Sequence, residues 1–598
     1  MAFVDVRVAD DDLRVVNLGS LAVLKPLLDK LNIAGIIDRH IPGEADVSHG
    51  TVLAVLLAAR LSSPTALVNV AQWSVEQGAE YLWNVAPEKL NDDRLARALD
   101  AFFDERHGIL ADITHEVLRL TDLTLERCHF DTTHLVFYGA YDDSRPRPLR
   151  SLEQLLQERQ RQGCWLDGPG AEAFVDEARL RDLAMSPAHI SRGYLTKHKM
   201  LQLGLTSVVD DLGAVPVACH LFDGSRNGHT GIEQQYQLLR HALRLPDNFL
   251  LVSDRGTCSA GHLARLGRHG HHALCAGQWQ DYSPLFDQHA DRLVWSQASY
   301  RSQEQQRRRD TPSTLPHEDY RLAVVDHQLL DPASGMPFDC RVLFVHASAG
   351  AKEAAQRRTK NIALIKAGLD NIARKLERAH PTTTPESVTR QIARLLGKKA
   401  AARHFHWQLV PLTDAEIAAL PPPRQGFRKQ THRLEYTCDD ASVQAESHHD
   451  GIYALVTTAP STWSGDALFS EYKRQTHVER GHHEFKAPIA VTPIFLKTPR
   501  RVEALVSLLF VALQAYMTLE RLYRQRVSAQ APLPQRRMTA ERILRKFRVC
   551  GVTVQQCPYG ELVSTTHLSS EQRHILRQLS LPTPAKLLQQ TLAPPPTT

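Results

Sequence analysis

Two aspartates and one glutamate in this 598-residue chain have surroundings that suit chemistry. Asp131 stands in HFDTTHL, residues 129–135, a short β-type run. Asp254 closes the apolar run FLLVSD and is followed directly by Arg255 and Gly256. An aspartate at the carboxyl end of a buried strand is well placed to line a site. Glu479 lies in EYKRQTHVERGHHEFK, residues 471–486, seven positions after Tyr472 and seven before Lys486. Seven residues are nearly two helical turns. The spacing therefore predicts one helix face carrying an aromatic hydroxyl, a carboxylate and an ammonium group. Gly481 inside that helix costs about 1 kcal/mol. Carboxylate oxygens are hard ligands that suit Mg2+ or Mn2+. A pair of such ions serves in-line phosphoryl displacement, one activating the attacking oxygen and the other stabilising the leaving oxygen. The heptad spacing alone is weak, because three polar residues fall into it by chance. Its combination with two strand-borne aspartates carries the reading.

Rival groups fit less well. Asp210, Asp211 and Asp223 sit beside glycines in turn-like sequence and read as loop residues. His477, Val478 and Glu479 spell H-x-E, but no P-C-x-x-C follows. No HExxH occurs either, so His477, His482 and His483 read as surface or phosphate-facing groups rather than zinc ligands. Nine cysteines without a CxxC pair argue against a zinc module and against a disulfide framework. Trp463, just before the Glu479 segment, could stack on an unpaired base or fill a core.

The elements that must position these residues change in texture along the chain. Residues 1–125 read as a helical N-terminal domain. Ser20 and Asn91 or Asp92 are candidate caps, and 52–61 is nearly all apolar. No sharp helix-turn-helix signature appears there. Residues 126–276 alternate strand, hairpin, helix, strand, helix and strand, which implies a mixed α/β sheet. Asp210-Asp211-Leu212-Gly213 has hairpin chemistry. Residues 277–449 break the alternation with short β-like runs and basic helices. Strand and helix patterns return over 450–530, and 531–598 is a basic segment with a proline-rich tail expected to fray. The apolar run 504–513 is too short to span a bilayer, and no signal sequence is evident, so a cytoplasmic location is expected.

The 43% hydrophobic and 23% charged composition excludes a disordered chain. Net charge is only +5, but the positive residues cluster. The clusters are 307–309, Arg357 to Lys375 in the basic insertion helix, Lys398 with Lys399, Arg500 with Arg501, Arg536 with Arg537, and 545–548. Basic clusters at intervals suit an extended polyanion better than a small anion.

With these motifs in order, the chain resembles the DDE transposases of bacterial insertion sequences. The similar subgroup has the third acidic motif Y-(2)-R-(3)-E-(6)-K. Tyr472, Glu479 and Lys486 match three of its four positions, and Gln475 stands where the subgroup has arginine. Asp131 matches the first acidic motif and Asp254 the second. GYLTKHKMLQLGL at 193–205, DGSRNGHT at 223–230 and NDDRLARALDAFF at 91–103 resemble accompanying segments. Each motif is short; their order and spacing give the resemblance its weight, over about 18–519.

The resemblance implies an α/β fold: a ribonuclease-H-like catalytic core interrupted by a mixed β-rich and helical insertion and preceded by a helical domain. It implies that Asp131, Asp254 and Glu479 are catalytic and hold Mg2+ or Mn2+, with two ions in the site. It implies double-stranded DNA as partner, both as element ends and as target, and a homodimer in the DNA complex that cuts and joins strands. Tyr472 and Lys486 would contact phosphates near the cut. A neutral amide at Gln475 cannot reproduce the bidentate phosphate grip of a guanidinium. Arg474, Arg480 and His483 are the basic groups near enough to replace it. The alternatives are a transposase-derived DNA-binding protein without catalysis, and a ribonuclease-H-like nuclease that cuts without joining.

Overall fold

A computed structural model describes residues 13–592 except 149, 162–168, 194–197, 226–227, 258, 302–317, 379–383, 398, 424, 487–488, 490–493, 495 and 558–559. Residues 194–197 and 226–227 of the connecting segments, the 307–309 basic cluster and Lys398 thus lie outside the described residues. The chain forms two compact units. One comprises Met1–Cys275, Leu329–Phe338 and Glu471–Thr598; the other comprises Ala276–Gln328 and Asp339–Ser470.

The first unit is built around a mixed sheet. In chain order its strands are β1 (Leu13–Asn17), β2 (Arg127–Phe137), β3 (Ser191–Arg192), β4 (Lys199–Asp210), β5 (Gly213–Asp223), β6 (Leu250–Ser253) and β7 (His272–Ala276). β1 lies apart; the others form a sheet with the path β5–β4–β2–β6–β7, and β3 adds to β4. β4 is antiparallel to β2 and β5, whereas β2, β6 and β7 are mutually parallel. Asp210 pairs with Gly213 across the expected two-residue turn, and Gly213 takes φ +133°, a backbone conformation that favours glycine. Gly204 in β4 faces Phe222 and Phe130, where a Cβ would come within 2.7 and 2.9 Å of their rings.

One face of the sheet joins the main apolar core. Leu135 and Phe137 of β2 and Leu201, Leu203 and Leu205 of β4 meet helices His49–Ser62, Asp92–Thr121 and Pro499–Arg526 there. Asn91 caps the second of these helices by accepting from the Arg94 amide, as its position suggests. Ser20 differs: its backbone is already helical and its hydroxyl makes no capping bond. The helix Pro499–Arg526 is long and apolar enough to cross a membrane, yet its apolar stretch is fully buried within the protein. Its buried charged side chains Glu503, Glu520 and Arg521 are paired. Glu503 pairs with Arg106 and Arg147, each at 3.0 Å. Glu520 pairs with Arg480 and Arg524, and Arg521 with Asp210, all at 2.7 Å.

The strands of the second unit are β8 (Ser296–Gln297), β9 (Tyr320–Leu330), β10 (Pro337–Ala347) and β13 (Ile452–Thr457), in the order β13–β10–β9–β8. Between β10 and β13 the chain extends a helix, Ser348–Glu377, of 30 residues. At 1.5 Å per residue that helix is about 45 Å long. Helix Pro385–Leu396 and the hairpin β11 (Phe405–Pro411) and β12 (His432–Cys438) close a separate apolar cluster on it, including Ile365, Leu369, Val388 and Ile392. The second unit takes in 277–328 and 339–449 of the expected texture break, and also β13, and runs on to Ser470.

The tail expected to fray is folded as far as it is described. β14 (Gly551–Cys557) pairs antiparallel with β15 (Gly560–Thr565) on one side and with β1 on the other. Helix Ser570–Leu579 starts with a reciprocal capping box between Ser569 and Gln572 and buries Ile575, Leu576 and Leu579. Proline content suggested a loose tail, but this cap and these three apolar residues anchor it.

Candidate functional site

Strand register sets the first part of the site. Phe130 of β2 pairs with Ser253 of β6, so the next residues, Asp131 and Asp254, are neighbours where β6 ends. Adjacent strands lie about 4.8 Å apart, and laterally paired residues project to the same side. Asp131 opposes Leu205 of β4 and so faces the side on which Leu205 joins the main core. Asp131 is half-buried and Asp254 exposed. Each carboxylate accepts from the next backbone amide, Thr132 at 2.7 Å and Arg255 at 2.6 Å.

The expected single helix over 472–486 is broken. Helix Gly465–Lys473 ends, Arg474 and Gln475 form a turn, and helix Thr476–Lys486 begins. The backbone tightens to i→i−3 bonds: Gln475 to Tyr472 at 3.1 Å, His477 to Arg474 at 2.9 Å and Val478 to Gln475 at 2.9 Å. Such a step changes the angular register, so Tyr472 no longer shares a helix face with Glu479. The two sides of the break address different aspartates. The Tyr472 hydroxyl donates to Asp254 at 3.4 Å. Burial, then the neighbouring Asp254 charge, push this phenol far up, so it remains a donor. Beyond the break, the His482 ring lies 3.2 Å from Asp131. Lys486 also feels Asp131: burial lowers its pKa and the aspartate partly offsets this.

Glu479 stands one turn before His482 and two before Lys486, on the face those residues share. Its side chain is exposed and makes no hydrogen bond or ion pair among the described residues. The structure thus brings Asp131 and Asp254 together and puts Glu479 on the helix alongside, without closing a three-carboxylate cluster. Among the described residues, no three His, Cys, Asp or Glu side chains converge tightly enough to hold a metal ion. The donor chemistry still suits a divalent cation. Asp131 and Asp254 follow a paired position of neighbouring strands, and His482 is 8% exposed with both ring nitrogens lacking hydrogen-bond partners. A buried polar group left unbonded costs about 1–3 kcal/mol, which a ligand would relieve. At Gly481 an added Cβ would meet nothing within 4 Å.

What breaks the helix is a polar cluster that sequence reasoning missed. Glu471, 3% exposed, takes His129 at 3.0 Å, Arg474 at 3.1 Å and Arg127 at 3.2 Å. Burial pushes its carboxyl up, but the His129 hydrogen bond and the three positive neighbours outweigh this and leave its pKa below the ordinary range. Gln475 donates to the Phe130 carbonyl at 2.9 Å and turns its oxygen to His129 Nδ1 at 2.9 Å. His129 therefore faces a side-chain oxygen at each ring nitrogen. The only sequence signal was the parity of β2: His129 and Asp131, two apart, share a face.

The expected phosphate-binding groups separate accordingly. Gln475 is turned inward on β2, and Arg474 is bound to Glu471 and to Asp211 at 2.9 Å. Arg480 is paired with Glu520 and Glu484. His483 is exposed, and Lys486 reaches the surface although the protein partly desolvates its ammonium group. Arg500 and Arg501 are held by Asp104 and Asp100. On the helix Ser348–Glu377, Arg358 pairs with Asp450, while Arg357, Lys360, Lys366, Arg374 and Lys375 are exposed. Trp463 is half-buried in the second unit.

A family described as a domain of unknown function (DUF4277) matches residues 13–114. The match covers β1 and most of the N-terminal helices and ends before Asp131. No curated protein matches the chain.

Proposed function

We propose that the chain is a DDE transposase that binds the terminal inverted repeats of its insertion sequence and catalyses metal-dependent DNA cleavage and strand transfer. One observation carries the reading. The β2–β6 register sets Asp131 beside Asp254 at a strand end, and the segment bearing Glu479 contacts one aspartate from each side of its break. The path β5–β4–β2–β6–β7, with only β4 reversed, is the order expected of a ribonuclease-H-like core and supports that fold. The matched N-terminal family is common in transposase-like proteins.

Asp131, Asp254 and Glu479 would hold two Mg2+ or Mn2+ ions, which when bound supply Lewis-acid stabilisation of the attacking and leaving oxygens. The chain's own groups orient the DNA. The Tyr472 hydroxyl, kept protonated, can donate to a phosphate oxygen beside Asp254, and Lys486 supplies positive charge beside Asp131. The exposed basic face of Ser348–Glu377 suits the phosphates of a duplex. Pairing of two ends calls for two copies of the chain on DNA, in the cytoplasm at the nucleoid.

The test is nicking and joining of duplex ends taken from the inverted repeats flanking the gene. Mg2+ or Mn2+ should be required, and Asp131→Asn, Asp254→Asn or Glu479→Gln should abolish both steps. Normal strand transfer by all three variants would sink the proposal. Pre-nicked ends separate a nuclease that cannot join, since it yields no joined product from them. Gln475 favours a second reading, a DNA-binding descendant without catalysis, because its amide is committed to β2 where the family has a phosphate-gripping arginine. That reading requires end binding with no cleavage at any metal concentration.

A further inference from the structure

The His482 ring is buried, has no hydrogen-bond partner at either nitrogen among the described residues, and points at one oxygen of Asp131. The Nε2 to Oδ2 distance is 3.2 Å, yet the pair lacks hydrogen-bond alignment. A distance near 3 Å without that alignment has another natural meaning. Two cis ligands of an octahedral ion, each about 2.1 Å from it, lie about 3 Å apart. His482 is also one turn beyond Glu479 on the same helix face, so one helix would present an oxygen and a nitrogen donor together.

We infer that His482 Nε2 is a ligand of the ion held by Asp131, making a mixed nitrogen–oxygen site that prefers Mn2+ to Mg2+. This rests on the carboxylate reading above and adds a donor to it. Carboxylates alone suit Mg2+ and Mn2+ alike, whereas an imidazole strengthens binding to transition ions far more than to Mg2+. The ring enters as a ligand through an unprotonated nitrogen and takes no part in proton transfer.

The experiment is pulsed electron paramagnetic resonance of Mn2+ on the full-length protein, with and without duplex DNA. Wild type should show nitrogen coupling to Mn2+, and the coupling should change its isotope pattern when histidine is supplied with nitrogen-15. His482→Gln should lose the coupling and bind Mn2+ roughly ten-fold more weakly, with Mg2+ affinity nearly unchanged. The isotope arm needs no variant and so survives a misfolded His482→Gln. Mn2+ bound without nitrogen coupling overturns this inference and leaves the carboxylate site standing. Absence of Mn2+ binding in both conditions overturns the carboxylate reading itself.

Discussion

Replacing Gln475 by arginine restores the residue of the resembled motif, and the structure says what that change costs. The amide makes two bonds, one to the Phe130 carbonyl and one to His129, both at 2.9 Å. A guanidinium has donors only, so it can serve the carbonyl but not a donating His129 nitrogen. It would place donor against donor in a part-buried position, and leaving the pocket relieves this. The loss of two bonds at about 0.5–1.5 kcal/mol each destabilises the first unit by about 1–3 kcal/mol. The freed guanidinium reaches DNA and adds one phosphate contact. The slope of log affinity against log salt should then steepen by about 0.9. Thermal unfolding reads the first effect, and fluorescence anisotropy on a duplex at several salt concentrations reads the second. A Gln475→Arg protein as stable as wild type would refute the role given to the amide. Lower stability with an unchanged salt slope would show that the guanidinium stays on Phe130.

Glu503→Gln should be severe, because Arg106 and Arg147 are both buried against it. Leaving such charges without their partner costs about 3–5 kcal/mol, which urea unfolding would detect; a loss under 1 kcal/mol would contradict it. Glu471 ties the helix break to β2 with a depressed pKa. Its contribution is fully present above the ordinary carboxylate range and is lost as pH falls through the lower folded value. Glu471→Gln should therefore flatten the acid limb of a stability–pH curve, and an unchanged limb argues against the cluster. Gly204→Ala would press a methyl between Phe130 and Phe222. About 1–3 kcal/mol of destabilisation should follow, without change in the metal affinity of any remaining folded protein.

The parts legible in the sequence were those written in local pattern. The apolar run ending in Asp254 declared its strand, and Asp210-Asp211-Leu212-Gly213 declared its hairpin. The cap was narrowed to Asn91 or Asp92, and Asn91 is the one that caps. The helix break at Arg474 and Gln475 was not legible, because no proline or glycine stands there and the heptad spacing favours continuity. Gly481, the residue that looked like the weak point, sits inside an intact helix. The break is made by Glu471 and Gln475 bonding to a strand more than 300 residues earlier, a tertiary cause no local window contains. Clustered arginines were a similar case. Arg500 and Arg501 read as a nucleic-acid patch but hold Asp104 and Asp100 of the N-terminal helix.

The pairing of β1 with β14 has a consequence for synthesis. The partner of the described chain's first strand is made more than 500 residues later, so a ribosome must finish nearly all of the chain before that strand can be covered. At about 5–20 residues per second this delay is roughly half a minute to two minutes. During that time β1 presents an open edge on which other nascent chains can pair. A message cut short before β14 would yield a product whose N-terminal region never closes. The family-matched segment thus waits for a strand made far later in the chain.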